Sequence, residues 1–381
     1  MPSLGLVYDG LRLSVSGDAA CLAWLAEFLA PSFSVDAAAA GAADVSVSLV
    51  VDPDRHACVR ADGADADLPP VELFALDSRV VRAPARQVGD GALRIVDGEL
   101  GVAYTVDRRR GQVEILAPAA DTDARVALMR VVRELAMTQA VARGRLPLHA
   151  ASLAVHGRGL VLLGAKRAGK TTLLLHLLQA PAARLIANDR TIVIADAAGA
   201  RATGVPSIVS LRATTLALLP AFAAQARARA VGFWHTLAEG QDRPAHRPGA
   251  EVVDFTPAQL CAALAIQAAA SAPITAVLLP QVPPPDLAAV RIERLTPEAA
   301  AAGLRANVFA GGALGRQAGV FAPLPAAGGS AQDVEARQSA AIEALARAVP
   351  AFMCAVPAHV LPDREQAASL VSSLSRPVRP R

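Results

Sequence analysis

Eight residues near the middle of the chain, Gly164 to Thr171, constrain its fold more than any other feature. They read GAKRAGKT and match the pattern G-x-x-x-x-G-K-[ST]. The apolar run Leu160 to Leu163 precedes them, and the helical run TTLLLHLLQ follows. A glycine-rich turn between a buried strand and the start of a helix is typical of a P-loop, whose backbone N–H groups bind phosphate oxygens.

This motif predicts a nucleotide site with a defined set of residues. We expect Lys170 to neutralise the β- and γ-phosphates and the hydroxyl of Thr171 to bind a magnesium ion. Lys166 and Arg167 either face the phosphates or are solvated loop charges. The expected ligands are ATP and Mg2+, with nine residues at the phosphates: Gly164, Ala165, Lys166, Arg167, Ala168, Gly169, Lys170, Thr171 and Thr172.

Phosphoryl transfer also needs a carboxylate close to the γ-phosphate. The segment RLIANDRTIVIAD predicts a strand, a tight turn and a second strand, with Asn188 and Asp189 in the turn. Asp189 would either bind the magnesium ion or take the proton from the attacking hydroxyl. Turn chemistry alone also favours an aspartate at such a position. We predict Asp189 as a catalytic residue and a metal ligand.

His149 is a third candidate catalytic residue beside Asp189 and Lys170. It follows an apolar run in LHAAS, one strand before the glycine-rich loop, where a sheet would bring it near the nucleotide. A neutral imidazole there could polarise a phosphate or orient the base, although a lone histidine is also common in purely structural positions. His156, His176 and His235 are predicted to be core or surface residues.

The pattern of apolar residues predicts an α/β core with an N-terminal α+β module. Short apolar runs with turn signals fill residues 1–120, a helix should run from Asp121 to about Gly144, and Thr256 and Thr296 each precede a proline that would open a helix. PLPAAGGS, residues 323–330, is predicted to be a linker. The predicted divisions are 1–120, a candidate docking module for an acceptor, 121–322, the P-loop core, and 323–381, a linker with a helical segment.

Composition limits the classes of partner and the compartment. A net charge of +3 in 381 residues gives no support to nucleic acid or a membrane as a partner. The uncharged stretch 255–285 is interrupted by prolines and is too fragmented to span a bilayer. Four dispersed cysteines and the absence of a signal-peptide pattern predict reduced thiols and a cytoplasmic location. The sequence allows a homo-oligomer.

The stretch LHAASLAVHGRGLVLLGAKRAGKTTLLLHLL, followed by RLIANDRTIVI, resembles the serine kinases related to HPr kinase/phosphorylase. The resemblance covers about Leu148 to Leu211. It implies a P-loop kinase core of the HPr kinase type and assigns catalytic-core positions to His149, Lys170, Thr171 and Asp189. It also implies that γ-phosphate is transferred to a serine or threonine hydroxyl of a peptide or protein, since distant members of that group phosphorylate peptide hydroxyls.

Two departures from that family limit the resemblance. The family has two adjacent acids where this chain has Asn188 and Asp189, and asparagine can bind magnesium but cannot accept a proton at neutral pH. Phosphorylase activity is correspondingly in doubt. The first 120 residues do not resemble the domain that precedes the core in HPr kinases, which argues against HPr as the acceptor.

The sequence leaves one functional class open beside a kinase and disfavours two others. A regulatory or scaffold protein that binds nucleotide without transferring phosphate stays open because of Asn188. A transport ATPase and a GTPase are disfavoured, because neither an LSGGQ-like signature nor an N-K-x-D motif is present at a suitable place. The arginine-containing segment 226–251, which includes Trp234, is either a mobile loop that closes over the ligands or a solvated connection.

Overall fold

A computed structural model describes residues 1–62, 68–76, 79–89, 91–196, 199–229, 252–309, 319–321 and 330–374. The chain has a mixed α/β structure with parallel and antiparallel strand pairs in both large sheets. Contacts divide it into two units, Met1–Arg145 with Ala310–Arg337, and Leu146–Phe309 with Gln338–Arg381. Most of the predicted arginine-containing loop, the predicted linker and the C-terminal tail lie outside the described residues.

The first unit is built on a nine-stranded sheet with the order β3-β1-β2-β4-β9-β8-β7-β6-β5. Its strands are β1 (Ser3–Tyr8), β2 (Leu11–Ser16), β3 (Ser34–Val35), β4 (Val45–Val51), β5 (Pro70–Leu76), β6 (Arg79–Val88), β7 (Ala92–Asp97), β8 (Val102–Asp107) and β9 (Gln112–Ala117). Its helices are α1 (Ala19–Leu29), α2 (Ala37–Gly41), α3 (Pro53–Asp62) and α4 (Thr122–Ala142).

Helix α4 begins where the sequence predicts. The side chain of Asp121 accepts a hydrogen bond from the backbone N–H of Ala124, which caps the first turn. The predicted apolar stripe, including Leu128 and Leu135, is fully buried, and α4 packs on β4, β8 and β9. Contacts therefore group this helix with the first unit, whereas the sequence-based division begins the core at residue 121; that division stays a prediction.

The second unit carries the glycine-rich loop and the candidate catalytic residues. Its strands are β10 (Leu146–Val155), β11 (Arg158–Leu163), β12 (Ala183–Ala187), β13 (Arg190–Asp196), β14 (Gly199–Gly204), β15 (Val209–Arg212), β16 (Val252–Phe255), β17 (Gln267–Ala268), β18 (Ser271–Gln281), β19 (Arg291–Arg294) and β20 (Ala351–Ala355). Its helices are α5 (Lys170–Leu177), α6 (Ala213–Ala217), α7 (Pro220–Arg229), α8 (Pro257–Leu264), α9 (Pro297–Ala306), α10 (Ala331–Ala348, which begins in the first unit) and α11 (Arg364–Leu374), with a 3-10 turn at Ala358–Val360.

Strand β10 is central to this unit because three strands pair with it. β11, β12 and β13 are all antiparallel to β10. β11 also pairs in parallel with β18, and β14 joins β13 to β18, so the pairings β10-β13-β14-β18-β11 close on themselves. Residues flanking β10 on either side are thereby brought within one strand spacing of it, about 4.8 Å.

The tight turn predicted at Asn188 and Asp189 is wrong. Ser152 of β10 pairs with Ala187 of β12, and His149 of β10 pairs with Arg190 of β13. β12 and β13 therefore pair one after the other with β10, and these two residue pairs share one register. The chain bends at residues 188 and 189 without reversing, and the backbone N–H of Ala150 donates to the carbonyl oxygen of Asp189 at 2.9 Å. Asp189 is held there by its backbone hydrogen bond to β10 and not by a tight turn.

Helix α5 is attached to the sheet by its leucines. Leu174, Leu175 and Leu177 are fully buried in a core that includes Leu160 and Leu162 of β11. An eight-residue helix is only marginally stable by itself. Burying a leucine side chain contributes about 1.5–3 kcal/mol, so the three leucines supply most of the stability of this helix. This packing sets the position of the helix start relative to the strand that precedes the loop.

Candidate active site

Residues 164–171, called loop 164–171 below, comprise the connection from β11 to α5 and the first two residues of α5, and their backbone is strained and curled. Gly164 has φ +150°, Arg167 has φ +73° and Gly169 has φ +95°. The N–H of Ala168 donates to the carbonyl oxygen of Ala165 at 3.1 Å, which closes a turn inside the loop. A non-glycine residue in the left-handed region costs roughly 1–2 kcal/mol, so the conformation of Arg167 is one that the surrounding structure must enforce.

The two glycines of the motif are required for different reasons. A Cβ atom on Gly164 would lie 3.0 Å from the Cβ atom of Ala168, closer than ordinary contact, so the loop folds tightly over this position. A Cβ atom on Gly169 would meet nothing within 4 Å, and the requirement there is the left-handed backbone alone. Gly169 precedes α5 and has no side chain to cap the first N–H groups of the helix.

Lys170 carries its charge inside the loop. Only 8% of the residue is exposed, and its Nζ atom donates to the carbonyl oxygens of Gly164 and Ala165 at 2.6 and 3.3 Å. A buried ammonium needs such partners, because burial without them is costly. Of the other predicted phosphate contacts, Ala165, Lys166 and Arg167 are exposed. Ala168, Thr171 and Thr172 are partly buried.

His149 and Asp189 form a pair. The Nε2 atom of His149 lies 3.2 Å from the Oδ1 atom of Asp189, and the two side chains are 22% and 20% exposed. Ala150 lies opposite Leu163 across β10 and β11, so His149 comes at the level where β11 gives way to Gly164. The structure therefore brings the predicted histidine and the predicted carboxylate together at the point where loop 164–171 begins.

Arg190 is a neighbour of this pair that was not predicted from the sequence. It is 2% exposed, and its Nε atom lies 3.8 Å from the Oδ2 atom of Asp189. Its guanidinium stacks over the ring of Phe309 at 4.3 Å, and that ring lies 6.0 Å from the His149 ring. A positive charge beside Asp189 favours the ionised carboxylate.

Asn307, which follows α9, is the second residue that sequence reasoning missed. Its Oδ1 atom accepts a hydrogen bond from the N–H of Gly164 at 3.0 Å, and its main-chain oxygen accepts one from the N–H of His149 at 2.8 Å. No motif marks this asparagine, since it lies 143 residues from Gly164 in sequence.

Asn188 has a structural contact in place of a second acid. Its Nδ2 atom donates to the main-chain oxygen of Ile208 at 3.3 Å. The amide is thereby directed at the backbone before β15, and it adds no carboxylate to the site. Asp189 is the acid of the Asn188-Asp189 pair.

The other predicted histidines fall outside the site or outside the described residues. His176 is fully buried in α5, its Nδ1 atom lies 2.8 Å from the carbonyl oxygen of Leu361, and burial lowers its pKa. His156 lies exposed in the turn between β10 and β11 with φ +50°, and His235 is outside the described residues.

The described residues also limit how a metal ion could be held and whether a helix could cross a membrane. In those residues, no group of three or more His, Cys, Asp or Glu side chains is arranged to hold a metal ion. Across the same ranges, none of the helices has both the length and the apolar character needed to cross a bilayer.

Comparison with known proteins adds no family assignment. No protein-family model matches the chain, and a search of curated proteins gave no match.

Proposed function

We propose that this protein is an ATP- and magnesium-dependent kinase that transfers a γ-phosphate to a hydroxyl group. One observation carries the proposal: loop 164–171 begins beside the His149–Asp189 pair, with β10 holding both. A loop of this shape ahead of a helix start binds phosphates, and a carboxylate next to it can act on the attacking group. The resemblance to HPr kinase-related serine kinases supports the same assignment.

The loop residues have separable roles toward the nucleotide. The N–H groups of Gly164 and Ala168 are bonded within the protein, and the other backbone N–H groups of loop 164–171 and of the first turn of α5 would bind phosphate oxygens. The helix start adds partial positive charge. The ammonium of Lys170, already held at the carbonyls of Gly164 and Ala165, neutralises phosphate charge. The N–H contacts bind and orient the triphosphate, and the Lys170 ammonium also stabilises the charge that develops on the γ-phosphate during transfer.

The oxygen ligands present fit a magnesium ion. The hydroxyl of Thr171, in the first turn of α5, and the carboxylate of Asp189 are hard oxygen donors of the kind that magnesium prefers. When bound, the ion would neutralise charge on the phosphates. The small number of protein ligands agrees with a site completed by phosphate and water.

Asp189 and His149 act on the acceptor. The carboxylate of Asp189 takes the proton as the acceptor oxygen forms its bond to the γ-phosphorus, while the bond between that phosphorus and the β,γ-bridging oxygen breaks and ADP leaves. His149 holds the carboxylate through Nε2 and orients it. Arg190 places a positive charge beside the carboxylate, with its Nε atom 3.8 Å from Oδ2.

The acceptor that we propose is a serine or threonine hydroxyl of a peptide or protein. The family resemblance supports this class, and residues 1–120 are the module predicted to dock the acceptor. A small alcohol would need less protein than this.

Nucleotide binding without transfer is the second candidate function, and the contact of Asn188 with Ile208 favours it. The amide is engaged by the backbone and leaves a single acid at the site. A sensor or scaffold would need the phosphate-binding loop and no base.

Mass spectrometry can separate the two functions. The protein is incubated with ATP, magnesium and peptides encoded beside its gene, with Asp189→Asn as the test variant and Glu293→Gln, an exposed acid on β19, as the matched control. The kinase predicts phosphopeptide from the wild type and the control and very little from Asp189→Asn. ATP binding with no phosphate transferred by any of the three would support the sensor and refute the kinase.

A further inference from the structure

Asn307 connects three backbone segments at the proposed site. Its Oδ1 atom accepts from the N–H of Gly164 at 3.0 Å, and its Nδ2 atom donates to the carbonyl oxygen of Gly303 at 2.8 Å. Its main-chain oxygen accepts from the N–H of His149 at 2.8 Å. Only 8% of the residue is exposed, so these bonds are shielded from competing water.

The orientation of the amide follows from its partners. Gly303 offers a carbonyl oxygen, which requires the NH2 group of Asn307, and Gly164 offers an N–H, which requires the oxygen. Exchanging the two atoms would place donor against donor and acceptor against acceptor. The side chain is therefore fixed at both ends, and the position of the first loop peptide is fixed with it.

Residues next to Asn307 take the place of β11 as the pairing partner of β10 where the pairing with β11 ends. β11 pairs with Ala150 and the residues after it, and beyond that point Val308 forms a bridge with Leu148. The N–H of Phe309 donates to the carbonyl oxygen of Pro147 at 2.9 Å. Asn307 thus lies where the loop leaves the sheet, between Gly164 and the strand that carries His149.

We propose that Asn307 is a positioning residue, which sets the distance between the phosphate-binding loop and the His149–Asp189 pair. This inference rests on the proposed kinase function. The loop keeps internal bonds of its own, from Ala168 to Ala165 and from Lys170 to Gly164, so it stays formed without Asn307. Without the side chain, the loop would no longer be held at a fixed distance from the His149–Asp189 pair.

The predicted signature is a fall in kcat with little change in nucleotide affinity. Misplacing reacting groups by about 1 Å can cost on the order of 100-fold in rate, so Asn307→Leu should lower kcat by about 10- to 100-fold. The Kd for ADP, measured by calorimetry, should stay within about threefold of the wild type, since the loop retains its own shape. Asn307→Asp keeps an oxygen for the Gly164 N–H and should recover part of the lost turnover.

Gln179→Leu is the matched control. It also removes one side-chain amide in the second unit, whose Nε2 atom donates to the carbonyl oxygen of Leu361 at 2.9 Å, at the far end of α5. Its kcat should equal that of the wild type even if its melting temperature falls as much as that of Asn307→Leu. Hydrogen exchange without nucleotide gives an independent readout: the Gly164 amide should exchange faster in Asn307→Leu and not in Gln179→Leu.

The outcomes separate this inference from the kinase proposal. Wild-type kcat in Asn307→Leu, equal losses in Gln179→Leu, or unchanged exchange at Gly164 would each overturn the role of Asn307 while leaving the kinase intact. A wild-type protein that transfers no phosphate would refute the kinase and, with it, the positioning role of Asn307. The positioning role of Asn307 would be supported if Asn307→Leu showed a lower kcat, a nearly constant Kd for ADP and faster hydrogen exchange at the Gly164 amide.

Discussion

The Nε2 atom of His149 lies 3.2 Å from the Oδ1 atom of Asp189, although 40 residues separate them along the chain. The contact exists because β10 ends its pairing with β12 and begins its pairing with β13 at this level. An imidazole and a carboxylate at this distance can share a proton or hold each other in one orientation. In the proposed kinase, their position at the start of loop 164–171 gives the pair its role in phosphoryl transfer.

Replacing His149 by phenylalanine should slow transfer without weakening nucleotide binding. The variant keeps a ring beside Phe309 but removes the Nε2 contact to Asp189. We expect kcat to fall roughly 100-fold, the lower end of the range for acid–base catalysis, because the carboxylate loses its orienting partner. Steady-state kinetics and ADP calorimetry on the same samples test this, and an unaltered kcat would make His149 a structural residue.

Arg190 and Phe309 should be energetically coupled. The guanidinium lies 4.3 Å from the ring centroid and is almost completely buried, conditions in which a cation–π contact contributes about 2 kcal/mol. A double-mutant cycle with Arg190→Met and Phe309→Leu, measured by urea unfolding, should give a coupling energy of about 1–2 kcal/mol. Additive effects would show that the stacking contributes nothing.

Alanine should be tolerated better at Gly169 than at Gly164. At Gly169 the cost is the left-handed backbone alone, about 1–2 kcal/mol, since no atom lies within 4 Å of the added Cβ. At Gly164 the added Cβ also meets Ala168 at 3.0 Å, so the loop itself must shift. Unfolding and ADP binding of both variants should show a larger loss for Gly164→Ala, and the reverse order would contradict the loop geometry.

The local elements of this chain are predictable because their signals lie close together in sequence. Thr256 and Gln259 form the capping box of α8, Thr296 caps α9, and Asp121 caps α4, as start signals of this kind predict. The strand, loop and helix around residues 164–171 also follow from a continuous run of residues.

The long-range part of the site could not be predicted from a single sequence. The prediction of a tight turn at Asn188 and Asp189 is wrong because turn-forming residues also suit a bend within an extended segment, and only the pairing partner, β10, distinguishes the two. Asn307 and Phe309 reach the site through the connection after α9, and no local pattern indicates where such a connection packs.

Stability should fall in acid partly because of His176. Burial lowers the pKa of this histidine below the ordinary value of 6.5, so the unfolded chain binds a proton before the folded one does. The free energy of unfolding therefore decreases as the pH falls below about 6.5, toward the lowered folded-state pKa. His176→Asn keeps an N–H near Leu361 without the titration, and its unfolding energy should vary less with pH in that window. Identical pH slopes in urea unfolding would exclude His176 as a contributor.

Calorimetric titration of ATP with magnesium into the wild type, Lys170→Met and Lys166→Met tests nucleotide binding by loop 164–171 most directly. Lys170 is buried against the loop carbonyls and Lys166 is exposed, so the second variant controls for the loss of a loop charge. Loss of charge-assisted bonds worth about 1.5–3 kcal/mol predicts an affinity roughly 10- to 150-fold weaker in Lys170→Met, with Lys166→Met close to the wild type. Equal ATP affinity in the wild type and Lys170→Met, or no binding by the wild type, would contradict the proposed site.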